Sequence, residues 1–145
     1  QKYGVNPYEM VHKHGIHPNR DIMNGLFCST GSLGCGLPIA IGHALARPYQ
    51  KVYCMISDGE CAEGSIWEAL RFIEEQPVNN LEVYVNINGM GAYDNIDVPY
   101  LVDRLTVFLP RINIRISDPP KWSFAEGLLT HYYVLKENDF KELSQ

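Results

Sequence analysis

The sequence has 145 residues, of which 46% are hydrophobic and 20% charged, values ordinary for one globular domain with a buried core. Its formal charge of −5, from 17 acidic and 12 basic residues without a Lys/Arg cluster, disfavours nucleic acid or an anionic membrane as the main partner. The sequence lacks both an apolar run near the roughly 20 residues of a membrane span and a signal-peptide pattern, so we expect a cytoplasmic protein.

The first third of the sequence predicts an irregular segment, a glycine-rich loop and a helix. Residues 1–30 are rich in Gly, Pro, Asn and His, with a short helix predicted at "PYEMVHK". The loop "STGSLGCG" then leads into a helix that Pro48 ends. The apolar residues of this helix recur at helical spacing: Leu37, Ala40, Ile41, Ala44 and Leu45.

Two strands with a helix between them are predicted next. "KVYCMIS" is a continuous apolar run, typical of a strand that is covered on both faces of a parallel sheet. A helix with apolar residues from Ile66 to Ile73 ends at Pro77, and "LEVYVNI" alternates as a second strand. Strand, helix and strand in this order indicate a right-handed crossover and parallel neighbours.

The C-terminal part predicts a strand at "RINIRIS", a turn at "PPKW" and a short helix at "ENDFKELS". Taken together, these elements predict that residues 1–145 form one α/β domain, with a parallel sheet flanked by helices.

Three acids, Asp58, Glu60 and Glu63, gather where the first strand gives way to a helix. A helix N-terminus favours some negative charge, and we interpret Glu60 as such a first-turn acid. The carboxyl ends of parallel strands meet at one edge, with adjacent backbones about 4.8 Å apart. The oxygens of Asp58 and Asn88 could therefore bind one Mg²⁺, and Gly59 lets a phosphate approach closely. The alternative readings are a helix cap at Asp58 and a plain turn at Asn88-Gly89.

Cysteines and histidines give weaker signals. The two Cys-x6-Cys spacings do not have the tight pairing of a structural zinc site, which indicates buried or helix-start thiols. The cluster "HKHGIHP" has no carboxylate or cysteine at ligand spacing, so a dedicated transition-metal site is disfavoured.

Three stretches in order, "STGSLGCGLPIAIGHALA", "DGECAEGSIWEAL" and "NNLEVYVNINGMG", resemble the thiamine-diphosphate-binding domain of the transketolase family. The resemblance covers roughly residues 15–96, and "WSFAEGLLTHYYVL" is similar to the stretch that closes the family's domain. It implies the N-terminal, diphosphate-side domain of such an enzyme, in a split or truncated form that lacks the first part of the family domain.

The resemblance assigns cofactor and metal contacts to particular residues. It implies that Mg²⁺ is held by Asp58, by the side chain of Asn88 and by the carbonyl of Met90. Gly59 would contact the diphosphate of the cofactor.

Further roles follow from the same resemblance. Gly31 and Leu33 would lie beside the aminopyrimidine of the cofactor. Glu63 and Glu68 match acids near a dimer interface, where Glu63 could take part in proton communication between paired sites.

Two histidines complete the implied site. His17 corresponds to a histidine that contacts substrate, and His131 to one near the diphosphate.

The implied activity is transfer of a two-carbon ketol unit from a ketose to an aldose, with sugar phosphates or related sugars as substrates. The glutamate that activates the cofactor comes from a second, pyrimidine-side domain in this family, so a partner chain and an oligomer are expected. The alternatives are half of another thiamine diphosphate enzyme, either deoxyxylulose-phosphate-synthase-like or 2-oxoacid decarboxylating, and a non-catalytic binding domain that retains the fold.

Overall fold

A computed structural model of the chain describes residue 4 and residues 6–15, 17–91, 94–118, 122–124 and 133–143. The helices in this part are α1 (Pro7–His14), α2 (Gly36–Ala46), α3 (Gly64–Glu75), α4 (Val98–Phe108) and α5 (Asp139–Leu143). The strands are β1 (Val52–Ser57), β2 (Leu81–Ile87) and β3 (Asn113–Ile116), and short 3₁₀ helices occupy Ile22–Asn24 and Gly59–Ala62. Within these ranges, the helices are all too short or too polar to cross a membrane.

The three strands form a parallel sheet in the order β1, β2, β3. Cys54 of β1 lies opposite Val83 of β2, and Val85 of β2 lies opposite Ile114 of β3. Because side chains alternate between the two faces of a strand, these four residues point to the same face. The predicted parallel pairing and the α/β fold class are thereby confirmed.

The hydrophobic core lies on one face of this sheet. Buried residues of β1 and β2 join buried residues of α2, α3 and α4 in one apolar cluster. On the opposite face of β1, Tyr53 is 65% exposed and Met55 is 76% exposed. The prediction that this strand is covered on both faces is therefore wrong for the described residues, because their helices pack against the face that carries Cys54 and Ile56.

The helix after the glycine-rich loop differs from its prediction at one position. Leu37, Ala40, Ile41 and Ala44 are buried as expected, whereas Leu45 is half exposed. At about 100° per residue, Leu45 lies about 80° around the helix from Leu37 and about 40° beyond Ile41, at the margin of the buried face.

Helix α4 was not predicted from the sequence. Asp97 caps it, since its side chain accepts a hydrogen bond from the amide of Tyr100 at 3.1 Å. The side chains of Leu101 and Leu105 are buried and form the inner face of this helix. The predicted strand near residue 113 and the predicted terminal helix are confirmed as β3 and α5, and most of the predicted "PPKW" turn lies outside the described residues.

A polar cluster joins α1 to the following 3₁₀ helix. The carboxylate of Asp21 accepts hydrogen bonds from Lys13 Nζ at 2.7 Å and Asn24 Nδ2 at 2.8 Å, and contacts His14 Nε2 at 3.2 Å. The hydrogen bonds from Lys13 and Asn24 hold the pKa of Asp21 well below its ordinary value. This cluster constrains the two ends of the segment that carries His17.

Candidate functional site

The carboxylate of Asp58 lies just after β1 and binds the backbone that follows β2. Its Oδ2 accepts hydrogen bonds from the amides of Asn88 and Gly89, both at 2.8 Å, and its Oδ1 accepts one from the amide of Gly59 at 3.0 Å. Asp58 is 2% exposed. Three N–H donors compensate for the burial of its charge, so this side chain fixes how the ends of β1 and β2 meet.

A tight turn follows β2 and carries both other predicted metal ligands. The side-chain oxygen of Asn88 accepts a hydrogen bond from the amide of Met90 at 2.8 Å, which is an Asx turn. A short antiparallel bridge between Met90 and Asn95 closes the loop beyond it. The predicted ligands Asp58, Asn88 and Met90 therefore lie within one hydrogen-bonded unit at the carboxyl edge of the sheet.

Glu60 makes more specific contacts than its interpretation as a first-turn acid implied. Its Oε2 accepts a hydrogen bond from the amide of Ser57, and the Ser57 hydroxyl accepts one from the amide of Glu60, both at 3.3 Å. This reciprocal pair has the hydrogen-bond pattern of a capping box, beginning one residue before Asp58, the cap of the 3₁₀ helix. The other carboxylate oxygen, Oε1, accepts a hydrogen bond from the amide of Gly34 at 3.3 Å. Glu60 therefore connects the acidic turn to the glycine-rich loop.

Gly34 is packed tightly against the start of α3. Its carbonyl accepts a hydrogen bond from the Ser65 hydroxyl at 3.1 Å. Its φ is +78°, a conformation that favours glycine. A Cβ added at Gly34 would lie 2.8 Å from the Cβ of Glu63 and would also overlap the Ser65 hydroxyl. The predicted site residue Glu63 thus lies against the glycine-rich loop, at the cap position of α3.

His17 and Gly31 are neighbours in the structure. A Cβ added at Gly31, where φ is +117°, would lie 3.1 Å from the Cγ of the His17 ring. Two predicted site residues that are 14 positions apart in sequence therefore pack together. Leu33 in the same loop is 42% exposed, and its contact with a cofactor stays a prediction.

A pocket of about 270 Å³ opens beside Asp58 and Gly59, on the side of α4. Its polar lining carries Asp94 and Asp97, and Arg104 from α4 adds a positive charge. Gly31 and Leu33 do not line this pocket among the described residues. A larger groove of about 460 Å³, lined by Trp67, Arg71 and Phe108 among others, shares no residue with it.

The guanidinium group of Arg104 has a fixed position at this pocket. Its Cζ lies 4.1 Å from the centroid of the Trp67 ring and 5.4 Å from that of Tyr100. Such cation–π contacts orient an arginine while leaving its N–H groups free to donate. Sequence reasoning missed Arg104 because helix α4 was not predicted and the Trp67 ring comes from another helix, α3.

The buried cysteines are protonated at neutral pH. Burial raises the pKa of Cys54 to about 11 and that of Cys61 to about 12, and the carboxylate of Asp58 adds to the effect at Cys61. Cys35 is exposed immediately before α2. These placements agree with the interpretation of the cysteines as buried and helix-start thiols, and the described residues hold no cluster of three His, Cys, Asp or Glu suited to a metal ion.

The side-chain oxygens at the sheet edge are of the kind that could bind a magnesium ion carrying a diphosphate. Asp58 accepts three hydrogen bonds, whereas a carboxylate has about four acceptor positions, so Oδ1 keeps one lone pair. The Asn88 side-chain oxygen accepts one hydrogen bond and also keeps one. One carboxylate plus neutral oxygens, with sites left for phosphate and water, is the set that Mg²⁺ takes in proteins.

The described residues bring most of the predicted site into two groups. Asp58, Gly59, Asn88 and Met90 form the first group at the sheet edge. The second, around the glycine-rich loop, contains Gly31, His17 and Glu63, and Glu60 joins the two groups. Glu68 lies on α3 beside the larger groove. His131 lies outside the described residues.

The roles of Glu60 and Ser65 were missed from the sequence. The Ser57-x-x-Glu60 spacing is a capping-box signature and could have revealed half of the contacts of Glu60. Its contact with Gly34 spans 26 positions and has no local signal.

The fold, with a polar site at the carboxyl edge of a parallel sheet, is typical of a class of domain that binds a cofactor at this edge. Comparison with known proteins supports this class. Residues 5–92 match the family described as "Thiamine pyrophosphate enzyme, C-terminal TPP binding domain". The chain belongs to this family.

Individual relatives are consistent with the match. The chain is 41% identical to a protein named Transketolase from Mus musculus and 39% identical to Transketolase from Homo sapiens, each over 80 residues. It is also 41% identical over 83 residues to a protein named Ferredoxin fas2 from Rhodococcoides fascians. These alignments cover 52% of the chain for the transketolases and 54% for the Rhodococcoides protein.

The chain corresponds to a small part of these relatives, with 13% of each transketolase and 27% of the Rhodococcoides protein covered. The resemblance to a thiamine diphosphate domain with transketolase relatives is confirmed. The family is described as a C-terminal domain, which does not match the expected N-terminal naming. The place of this domain within a longer enzyme, and the single-domain boundaries, stay predictions.

Proposed function

We propose that this chain forms the diphosphate-side half of a transketolase-like active site. In this proposal it binds thiamine diphosphate through Mg²⁺ and serves the transfer of a two-carbon ketol unit from a ketose to an aldose. The observation that carries the proposal is the hydrogen-bonded unit of Asp58, Asn88 and Met90 at the carboxyl edge of the parallel sheet. The transketolase relatives support the choice of reaction.

The residues of the chain have distinct tasks in this function. The free lone pairs of Asp58 and Asn88, with the Met90 carbonyl, would hold Mg²⁺, and Gly59 would lie against the diphosphate. Because Asp58 is already held by three backbone amides, its carboxylate is oriented before the metal binds, which lowers the entropic cost of binding. Gly31 and Leu33 would contact the aminopyrimidine. When bound, thiamine diphosphate supplies the carbon nucleophile and the electron sink for cleavage of a C–C bond.

His17 is suited to contact substrate in this proposal. Its ring lies beside Gly31 and the residue is exposed, so it can donate a hydrogen bond to a sugar hydroxyl or phosphate. Glu63 would communicate with a paired site, and His131 would lie near the diphosphate. Activation of the cofactor needs a glutamate from a second domain or subunit, so we propose that the working enzyme is an oligomer with a pyrimidine-side partner, acting on sugar phosphates in the cytoplasm.

One observation favours a second candidate. A protein that is not named a transketolase, Ferredoxin fas2, matches this chain at the same 41% identity as mouse transketolase. The alternative candidate is therefore half of another thiamine diphosphate enzyme, with a different donor such as a 2-oxoacid. Xylulose 5-phosphate and pyruvate, each tested as donor with the partner chain present, would distinguish the two reactions.

Calorimetric titration of thiamine diphosphate into the folded chain tests the cofactor site. We expect binding that requires Mg²⁺, no binding of thiamine without its diphosphate, and loss of binding in Asp58→Asn. Asp103→Asn makes the same substitution at an exposed position of α4 and is the control.

A second readout separates metal ligation from folding, since Asp58 also supports the backbone. With Mn²⁺ in place of Mg²⁺, paramagnetic broadening should affect the amide signals of Gly59, Gly89 and Met90 and should spare those of α5. A folded chain that binds thiamine diphosphate equally with and without the divalent metal would contradict the proposal.

A further inference from the structure

Both peptide groups of Gly34 are held by side chains from the opposite side of the site. The N–H of Gly34 donates to Glu60 Oε1 at 3.3 Å, and its carbonyl accepts from the Ser65 hydroxyl at 3.1 Å. Gly34 is buried, and the conflict of an added Cβ with Glu63 leaves no room for the loop to move inward at this point. The end of the glycine-rich loop is therefore fixed by α3 and the turn before it.

The same glutamate holds the Asp58 side of the site. Its second oxygen accepts a hydrogen bond from the amide of Ser57, the residue before Asp58. One carboxylate thus connects two backbone positions that are 23 residues apart in sequence, residue 34 in the loop and residue 57 at the end of β1. Both hydrogen bonds have a carboxylate oxygen as acceptor, and at 3.3 Å they lie at the long end of hydrogen-bond distances.

We propose that Glu60 is a positioning residue that, together with Ser65, sets the spacing between the glycine-rich loop and the Asp58 turn. This inference rests on the proposed function, in which Gly31 and Leu33 meet the aminopyrimidine while Asp58 and Gly59 meet the metal-bound diphosphate. A cofactor that must contact both segments at once binds well only when their separation is fixed. Glu60 itself does not touch the cofactor in this arrangement.

The chemistry of this position requires a carboxylate of this length. Glutamine presents one oxygen and one NH₂ group, so it can accept from Ser57 or from Gly34 but not from both in the same way. Aspartate is one methylene shorter and cannot span the two segments. A glutamate present only for the helix dipole would tolerate glutamine at little cost.

Two ligands distinguish positioning from general support. Inorganic pyrophosphate with Mg²⁺ contacts only the Asp58 side, whereas thiamine diphosphate with Mg²⁺ contacts both sides. We expect Glu60→Gln to weaken binding of thiamine diphosphate about tenfold, the equivalent of one or two lost hydrogen bonds, and to change pyrophosphate binding less than about twofold. By Coulomb's law, removing the negative charge of Glu60 should by itself strengthen the binding of both anionic ligands. The expected loss of affinity for thiamine diphosphate is therefore opposite in sign to the direct electrostatic effect.

Independent measurements complete the test. Hydrogen exchange at the Gly34 amide should be faster in Glu60→Gln, and Ser65→Ala should also lower the affinity for thiamine diphosphate selectively. Glu74→Gln removes an exposed carboxylate from α3 and is the matched control, with unchanged affinities and unchanged exchange at Gly34.

The outcomes separate this inference from the proposed function. If the wild-type chain binds neither ligand with Mg²⁺, the proposed function is overturned. If the wild type binds thiamine diphosphate and Glu60→Gln binds it equally well, or loses both ligands equally, the positioning role alone is overturned. A selective loss of thiamine diphosphate with faster exchange at Gly34 supports it.

Discussion

Replacement of Asp58 should lower the stability of the chain even when no metal or cofactor is present. In Asp58→Ala the amides of Gly59, Asn88 and Gly89 lose their acceptor inside the protein. A buried donor left without a partner costs roughly 1–3 kcal/mol. Relaxation and entry of water recover part of this cost, so we expect a loss of about 4 kcal/mol in the free energy of unfolding.

Asp58→Asn should have an intermediate effect. Its remaining oxygen can still accept from the Asn88 and Gly89 amides, while its NH₂ group faces the N–H of Gly59. The hydrogen bond from Gly59 is lost, and the other two now have a neutral acceptor instead of an ionised one. We therefore expect the free energy of unfolding to fall by about 2 kcal/mol. The expected order of stability is therefore wild type, Asp58→Asn, Asp58→Ala.

Urea denaturation in a chelating buffer measures these differences. The dependence of the free energy on urea should stay constant, so that a shift in the midpoint reports stability. Asp103→Asn should unfold within about 0.5 kcal/mol of wild type, as expected of an exposed position. Losses below about 1 kcal/mol in both Asp58 variants would refute the conclusion that this carboxylate holds the β1 and β2 ends together, and would leave metal binding as its main role.

Three further predictions concern Gly34, the cysteines and Asp21. Gly34→Ala should lower the free energy of unfolding by about 2 kcal/mol or more, because φ is +78° and the new Cβ meets Glu63. Gly42→Ala, with open space around it in α2, should leave the free energy of unfolding unchanged or raise it by up to about 1 kcal/mol. Equal effects of the two substitutions in thermal or urea unfolding would contradict the packing at Gly34. At pH 8, iodoacetamide should label the exposed Cys35 well before Cys54 and Cys61, because the pKa values of the buried thiols, about 11 and 12, leave little thiolate. Mass spectrometry measures the labelling rates. If Cys61 of the folded chain is labelled as fast as Cys35, Cys61 is not buried. Because the pKa of Asp21 is lowered in the folded chain, its ionised form stabilises the fold above the unfolded-state pKa near 3.8, and this contribution is lost as the pH falls through the folded-state pKa. Asp21→Asn should therefore be less stable than wild type at pH 7, with a difference that shrinks below about pH 4; a difference that grew on acidification would reverse the assigned sign.

The strand and helix order of this protein was readable from the sequence because it depends on local patterns. The alternation of "LEVYVNI", the helical spacing from Leu37 to Ala44 and the Pro and Gly positions that end elements each act within one or two turns of chain. The sheet edge as the place of Asp58 and Asn88 followed from parallel pairing alone. Helix α4 was missed because its start depends on a cap at Asp97 and on burial of two leucines against α3 and the sheet.

The tertiary structure decided how the two parts of the site are joined. The sequence by itself determined the residue types at the sheet edge and in the glycine-rich loop, since these follow from motifs a few residues long. It did not determine that Glu60 accepts from Gly34, that His17 packs on Gly31, or that one face of β1 is exposed. These contacts join segments 14 to 26 positions apart or depend on what covers a sheet face, and only the packing of complete elements fixes such distances.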